Sequence, residues 1–295
     1  MKIVGRSAAG WMVLVGLLLA TGCDRGRQES ASFSTTLERV RSQGKIRLGY
    51  ANEAPYAYYD TAAGKLTGEA PEIARAVLGE MGVTEVEGVL TEFGALIPGL
   101  KAGRFDIIAA GMYITPARCR EIAFSNPTYG LGEAFLVKAG NPLGLHSYEE
   151  AAAHPTARLG VVAGAVERRY AQATGVPESR IAVLPDAPSA VAAVQAGRVD
   201  AYAGTSLTIQ NLLSKARDPG IERAEPFRDP IIDGKTVIGY GAFGLRKEDT
   251  ALLNEFNAHL ERFIGSPRHL AVVAPFGFTE ADLPGEITAE ALCRP

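Results

Sequence analysis

Short apolar runs alternate with amphipathic segments along most of the chain. Runs typical of strands lie at 45–50, 86–90, 105–110, 133–138, 157–162, 181–184 and 237–245, and 58–68 has the pattern of a hairpin. Segments with helical spacing lie at 37–43, 70–81, 146–153, 165–174, 187–196, 207–215 and 250–264. Strands that alternate with helices predict an α/β fold built on mostly parallel sheets flanked by helices.

One unit of this pattern occurs twice. The octapeptide at 102–109, Ala-Gly-Arg-Phe-Asp-Ile-Ile-Ala, is echoed at 196–203 by Ala-Gly-Arg-Val-Asp-Ala-Tyr-Ala, and each copy follows an apolar helix pattern. The repeat predicts two similar lobes, the first at 37–138 and the second at 139–236, with the chain returning to the first lobe at 237–295. Two crossings imply two hinge strands, about which the lobes close on whatever lies between them.

The segment after the first copy places an arginine where α/β sheets bind ligands. Thr115 and Pro116 are suited to the N-cap and first turn of a helix that carries Arg118. Ligands of open α/β sheets collect outside the carboxyl ends of the strands, and a guanidinium there suits a carboxylate. A surface arginine paired with a neighbouring acid is the alternative, and the local sequence does not decide between them.

Composition narrows the class of protein. The 295 residues are 47% hydrophobic and 21% charged with a net charge of -3, which suits one large or two smaller domains. Basic residues are scattered, so we expect no nucleic-acid partner. The sequence has no nucleophile elbow, phosphate-binding loop or zinc spacing, and its four histidines are predicted to be solvated, so we expect no catalytic residue, cofactor or metal.

The N-terminus predicts export. Lys2 and Arg6 precede an apolar segment at 11–20 that is too short for a membrane span and fits a signal peptide. The small residues before Cys23 resemble the lipobox of bacterial lipoproteins, so residues 1–23 are predicted to be a signal peptide with a lipidated Cys23, and 24–36 a flexible tether. Plain cleavage with a free Cys23 is the alternative. In the oxidising compartment this implies, a Cys119–Cys293 disulfide is expected.

Together with these features, two motifs carry a resemblance. The runs at 114–118, Ile-Thr-Pro-Ala-Arg, and 124–127, Phe-Ser-Asn-Pro, resemble those of polar amino-acid-binding proteins of bacterial ABC importers over 45–278. The resemblance implies a monomeric periplasmic binding protein of type II, without enzymatic activity, that delivers a small zwitterion to a permease in the inner membrane. It also implies that Arg118 holds the ligand's carboxylate.

Three further runs narrow the resemblance. Residues 52–56, 68–74 and 109–113 are similar to the ectoine- and hydroxyectoine-binding branch of that family. Ordinary amino-acid binders carry an aspartate for the ligand's ammonium where this chain has Gly-Thr-Ser at 204–206. The resemblance therefore implies a compatible solute whose positive charge is delocalised, taken up for osmoprotection or catabolism.

The same resemblance implies a set of ligand-binding residues. It places aromatic rings around the ligand's cation and Glu53 beside it as the only acid. It also places one glycine at the end of the repeated strand and two contacts from the second lobe. The predicted set is Glu53, Tyr56, Phe93, Gly111, Tyr113, Arg118, Val166 and Thr205.

Two other functions stay open from the sequence. One is a polar amino-acid-binding protein of the same family with rearranged pocket charges. The other is a periplasmic dehydratase acting on arogenate or prephenate, which shares this fold and in which Glu53 is the candidate general acid.

Overall fold

The structure is a computed structural model that describes residues 35–294. The predicted signal peptide, Cys23 and the tether as far as residue 34 lie outside these residues. Within residues 35–294, no helix is both long and apolar enough to cross a membrane.

Helices and strands alternate as the sequence predicts. The helices are α1 (Thr36–Gln43), α2 (Glu69–Glu80), α3 (Leu96–Lys101), α4 (Pro116–Cys119), α5 (Tyr148–Ala153), α6 (Glu167–Ala173), α7 (Ala187–Gln195), α8 (Ser206–Ala216), α9 (Thr250–Phe263), α10 (Pro267–Val273) and α11 (Ala289–Cys293). The strands are β1 (Lys45–Tyr50), β2 (Tyr58–Asp60), β3 (Lys65–Thr67), β4 (Glu85–Leu90), β5 (Ile107–Tyr113), β6 (Ala123–Phe124), β7 (Tyr129–Leu131), β8 (Glu133–Lys138), β9 (Leu159–Val162), β10 (Ile181–Leu184), β11 (Ala201–Thr205), β12 (Ile221–Arg223), β13 (Ile231–Ile232), β14 (Lys235–Thr236) and β15 (Gly239–Leu245).

Two sheets form the two lobes. The first has the strand order β4-β1-β5-β15-β6, with β7 also paired to β15, and the second has the order β10-β9-β11-β8-β12. In each sheet one strand, β15 or β8, runs antiparallel to its neighbours, and the other strands all run in the same direction. Both sheets are therefore mostly parallel, as predicted. The antiparallel strands arise at the crossings: β8 and β15 begin beside the carboxyl ends of β11 and β5, with Glu133 opposite Thr205 and Gly241 opposite Tyr113.

The repeated octapeptide leads into equivalent strands. The strand β5 pairs in parallel with β1 and antiparallel with β15. In the same way, β11 pairs in parallel with β9 and antiparallel with β8. Because parallel strands end at one edge of a sheet, β5 and β11 deliver the residues after them to the cleft between the lobes.

The predicted boundary after residue 138 falls earlier in the structure. The strand β8 pairs with β11 and β12 of the second sheet, whereas β7 pairs with β15 of the first. The chain therefore crosses at Gly132, between β7 and β8. The end of an apolar run marks the end of a strand but not the sheet to which the strand belongs, which explains the difference.

Burial of apolar faces holds the helices on the sheets. One face of α2 is buried: Ile73, Val77 and Leu78 are 0% exposed, and Met81 beyond the helix is 6% exposed. Each such side chain contributes about 1.5–3 kcal/mol by leaving water. His269 in α10 is also buried against the Phe263 ring, so the prediction that all four histidines are solvated is wrong for this one.

A disulfide joins the end of the chain to the site-bearing segment. Cys119 in α4 and Cys293 in α11 are bonded, with their Cα atoms 5.6 Å apart. The bond fixes α11 beside the helix that carries Arg118.

Candidate functional site

A cavity lies between the two lobes at the ends of β5 and β11. Its lining contains all eight residues of the predicted set, which are far apart in sequence and come from both lobes. Five further residues line it: Ala110, Val162, Ala165, Glu167 and Tyr202.

Arg118 spans the two lobes. Thr115 caps α4 as predicted, since its Oγ1 accepts from the backbone N–H of Arg118 at 3.2 Å. The guanidinium donates to the carbonyl of Tyr113 at 2.7 Å and to that of Gly164, in the second lobe, at 2.9 Å. These bonds use two of its five N–H donors. Across residues 35–294, no carboxylate forms an ion pair with it.

Burial makes this cation expensive to leave unpaired. It lowers the pKa of Arg118 to about 10, although the nearby Glu167 carboxyl opposes the shift. The guanidinium carbon lies 5.5 Å from the centroid of the Phe93 ring, which gives the charge one favourable contact. Arg118 is therefore a fixed, half-buried cation with donors left to bind an anion.

Tyrosine rings form one wall of the cavity. The Tyr56 ring stacks on Tyr129 with centroids 5.5 Å apart, and Tyr113 meets Tyr129 edge to face at 6.2 Å. The Tyr129 hydroxyl donates to the carbonyl of Gly111 at 3.0 Å. The Tyr113 hydroxyl is buried and has no hydrogen-bond partner in the part of the chain that the structure describes. Tyr129 supports the two predicted rings from behind, a role that sequence reasoning missed.

Two glycines make room for these rings. Gly111 has φ +63°, and a Cβ there would stand 2.6 Å from the Tyr56 ring. A Cβ at Gly239 would lie only 1.8 Å from the Tyr113 ring. Both positions need glycine because the aromatic wall presses on the backbone.

Two hydrogen bonds join the lobes beside the cavity. The hydroxyl groups of Tyr56 and Thr205 are 2.6 Å apart, and Thr208 donates to the Glu53 carboxyl at 2.7 Å. Thr205, the last residue of β11, caps α8 and brings a hydroxyl rather than a carboxyl group to this position. With the Arg118 bond to Gly164, they hold the cleft in a closed arrangement.

The cavity contains two acids rather than one. Glu53 reaches it from the first lobe, and burial raises the pKa of Glu53 despite the hydrogen bond from Thr208. Glu167, at the start of α6, lines the same cavity and is 5% exposed. The prediction that Glu53 is the only acid is therefore wrong. The signal for Glu167 was present, since it follows β9 much as Arg118 follows β5, at the carboxyl end of a parallel strand.

Comparison with known proteins places this cleft in a family. Residues 46–272 match the bacterial extracellular solute-binding proteins, family 3. The chain belongs to this family. As a family 3 member it is a solute-binding protein of the ABC importers of the amino-acid type, with a small ligand and a membrane permease as partners.

Individual relatives agree with this assignment. A probable amino-acid ABC transporter periplasmic-binding protein, y4tE of Sinorhizobium fredii, is 39% identical over 265 residues, or 88% of this chain and 86% of its own. The crystal structure of EhuB in complex with hydroxyectoine is 38% identical with a TM-score of 0.79, covering 88% of this chain and 98% of that one. An ancestral amino acid-binding protein, AncCDT-1, described as a precursor of cyclohexadienyl dehydratase, is 27% identical with a TM-score of 0.70, covering 82% and 99%.

Proposed function

We propose that this family 3 protein binds a small zwitterionic compatible solute, ectoine or hydroxyectoine, in the cleft and presents it to its permease. One observation carries the proposal: the half-buried Arg118 guanidinium has no carboxylate partner among the described residues, lies over the Phe93 ring and lines a cavity with Tyr56 and Tyr113. The similarity to EhuB, solved with hydroxyectoine, supports it.

The carboxylate of such a ligand would pair with Arg118. Two backbone carbonyls orient the guanidinium from both lobes, so its remaining N–H donors are held in place before a ligand arrives. A charge-assisted bidentate pair is stronger than neutral hydrogen bonds, and it offsets the cost of burying both charges. The bond from Arg118 to Gly164 also makes this residue part of lobe closure.

The ligand's cation would lie against the rings of Phe93, Tyr113 and Tyr56. Ectoine carries its positive charge on an amidinium, and a spread cation gains about 0.5–2 kcal/mol from each aromatic face, more when water is excluded. The aspartate typical of amino-acid binders is missing at the end of β11, where Thr205 stands instead. A compact primary ammonium lacks its usual partner at this position.

A polar amino acid is the competing ligand, and the relatives named as amino-acid-binding proteins favour it. We infer no catalysis, because the candidate general acid, Glu53, is hydrogen-bonded to Thr208 and closes the cleft rather than standing free in it. Ligand stabilisation and product formation separate these functions.

A thermal-shift panel tests the proposal on the mature chain with ectoine, hydroxyectoine, glycine betaine, arginine, glutamine and arogenate. A ligand at a hundred times its Kd adds about 2.7 kcal/mol of stability, or about 5–10 °C for a protein of this size. We expect this shift with ectoine or hydroxyectoine. A shift with arginine or glutamine alone would favour the amino-acid binder, and product formed from arogenate would show a dehydratase.

We further infer that the protein is a monomer tethered outside the cytoplasm by a lipid on Cys23. The short apolar segment followed by small residues and this cysteine supports the anchor. Intact mass of the protein purified from membranes should show a lipidated Cys23 as the first residue. An unmodified N-terminus would instead support export with ordinary signal-peptide cleavage and no lipid anchor.

A further inference from the structure

We infer that Glu167 is a ligand-binding residue of the second lobe, whose carboxylate accepts the N–H donors of the ligand's cationic group. The inference rests on the proposed function and deepens it. It assigns to the start of α6 the acid that is missing after β11.

The position of Glu167 supports this role. Its side chain lines the cavity together with Arg118 and Glu53, yet it is only 5% exposed. Its Oε2 atom is buried and has no hydrogen-bond partner within residues 35–294. An unsatisfied buried carboxyl oxygen costs about 1–3 kcal/mol, so a ligand with N–H donors would remove a penalty that the protein alone carries.

The charges around Glu167 favour a cation beside it. Arg118 faces it from α4, while Glu53 from the first lobe and Glu133 from β8 repel it. The cavity lining thus holds two carboxyl groups and one guanidinium. Once the carboxylate of a ligand is paired with Arg118, the electrostatic potential of the two glutamates attracts positive charge.

The same surroundings predict proton release when ligand binds. The pKa of Glu167 is raised to about 7, mainly by burial. The nearby Glu53 also raises this pKa, whereas a bond from the backbone amide of Glu167 and the charge of Arg118 lower it. A cation beside the carboxyl favours its ionised form. Binding near pH 7 should therefore expel protons from Glu167 into the buffer.

Glu133 provides a matched control. It is also a buried glutamate of the second lobe, 3% exposed, with one oxygen that has no partner among the described residues. Its other oxygen accepts from the Tyr148 hydroxyl at 3.1 Å, and it does not line the cavity. A loss caused by replacing any buried carboxyl group would appear in both variants, whereas a loss of ligand contact would appear only at Glu167.

Titration calorimetry on the mature chain tests the inference with ectoine and L-arginine as probes. At pH 8, Glu167→Gln should weaken the probe that binds wild type about tenfold or more, and Glu133→Gln by less than about twofold. At pH 7, comparison of phosphate and Tris buffers should show proton release for wild type and less for Glu167→Gln.

The outcomes separate the two proposals. Unchanged affinity and unchanged proton release in Glu167→Gln, with its circular dichroism spectrum intact, would overturn the role of Glu167. Binding of L-arginine without ectoine would refute the proposed solute, and the Glu167→Gln comparison on L-arginine would still decide the inference.

Discussion

Replacing Glu69 with glutamine should stabilise the protein at alkaline pH. Glu69 begins α2, behind the aromatic wall, and is 1% exposed. One carboxyl oxygen accepts from the Thr128 hydroxyl at 2.7 Å, and the other is buried with no partner from residues 35–294. A glutamine retains an acceptor for Thr128 but cannot acquire a negative charge.

The magnitude follows from the titration of Glu69. Burial raises its pKa from 4.5 to about 8, against the opposing hydrogen bond from Thr128. A raised folded pKa contributes stability that is complete below the unfolded value and is lost as pH rises from about 4.5 through 8. Between pH 5 and pH 8, the wild type should lose about 3 kcal/mol through this group.

Denaturant unfolding of wild type and Glu69→Gln at several pH values measures the effect. The difference in unfolding free energy, variant minus wild type, should rise by about 3 kcal/mol from pH 5 to pH 8. Glu72→Gln on the same helix is the control. Burial tends to raise the pKa of Glu72, but the Thr67 hydrogen bond and the charges of Arg75 and Lys65 outweigh burial and lower it.

The control should behave in the opposite sense. A lowered pKa contributes stability above the unfolded value, so Glu72→Gln should destabilise the protein by a nearly constant amount between pH 5 and pH 8. A pH-independent difference for Glu69→Gln would refute the reasoning, because it would mean that Glu69 titrates alike in the folded and unfolded chain.

Two further predictions concern the site and its support. Tyr113→Leu should weaken ectoine binding by about 0.5–2 kcal/mol, and more than it weakens binding of L-glutamine, in calorimetry; equal losses would argue against an aromatic site for a delocalised cation. Cys293→Ser opens a disulfide between residues 174 apart in sequence and should lower the unfolding free energy by about 2–5 kcal/mol under oxidising conditions; a wild-type unfolding midpoint unaffected by reductant would contradict this.

Periodicity and turn chemistry were sufficient to predict the architecture. The predicted strands at 45–50, 133–138 and 181–184 have the observed bounds, because each is a run of apolar or alternating residues with clear ends. The two-residue strands β6, β13 and β14 were missed, since a period cannot be recognised in two residues. The membership of β8 in the second sheet also depends on its pairing with β11 and β12, which are distant in sequence, and no local pattern records this pairing.

The residues of the candidate site also differ in whether a local sequence pattern could predict them. Arg118 was found because a capped helix start after a buried strand is a local signal, and the resemblance supplied the other predicted lining residues. Glu167 follows β9 at the same distance as Arg118 follows β5, so the same reasoning applied to the second lobe would have found it. Thr208 was missed because its hydroxyl donates to Glu53 across the cleft, a contact that forms only when the two lobes meet.

We propose that Arg118 captures the carboxylate of a small zwitterion in the cleft, and calorimetry with ectoine on wild type and Arg118→Ala measures this directly. Wild type should bind ectoine measurably, and the variant should lose about a hundredfold or more in affinity, since a charge-assisted bidentate pair and a contact between the lobes are removed together. Circular dichroism should show that the fold is retained. Equal affinity for ectoine in a folded Arg118→Ala variant would mean that Arg118 does not hold the carboxylate.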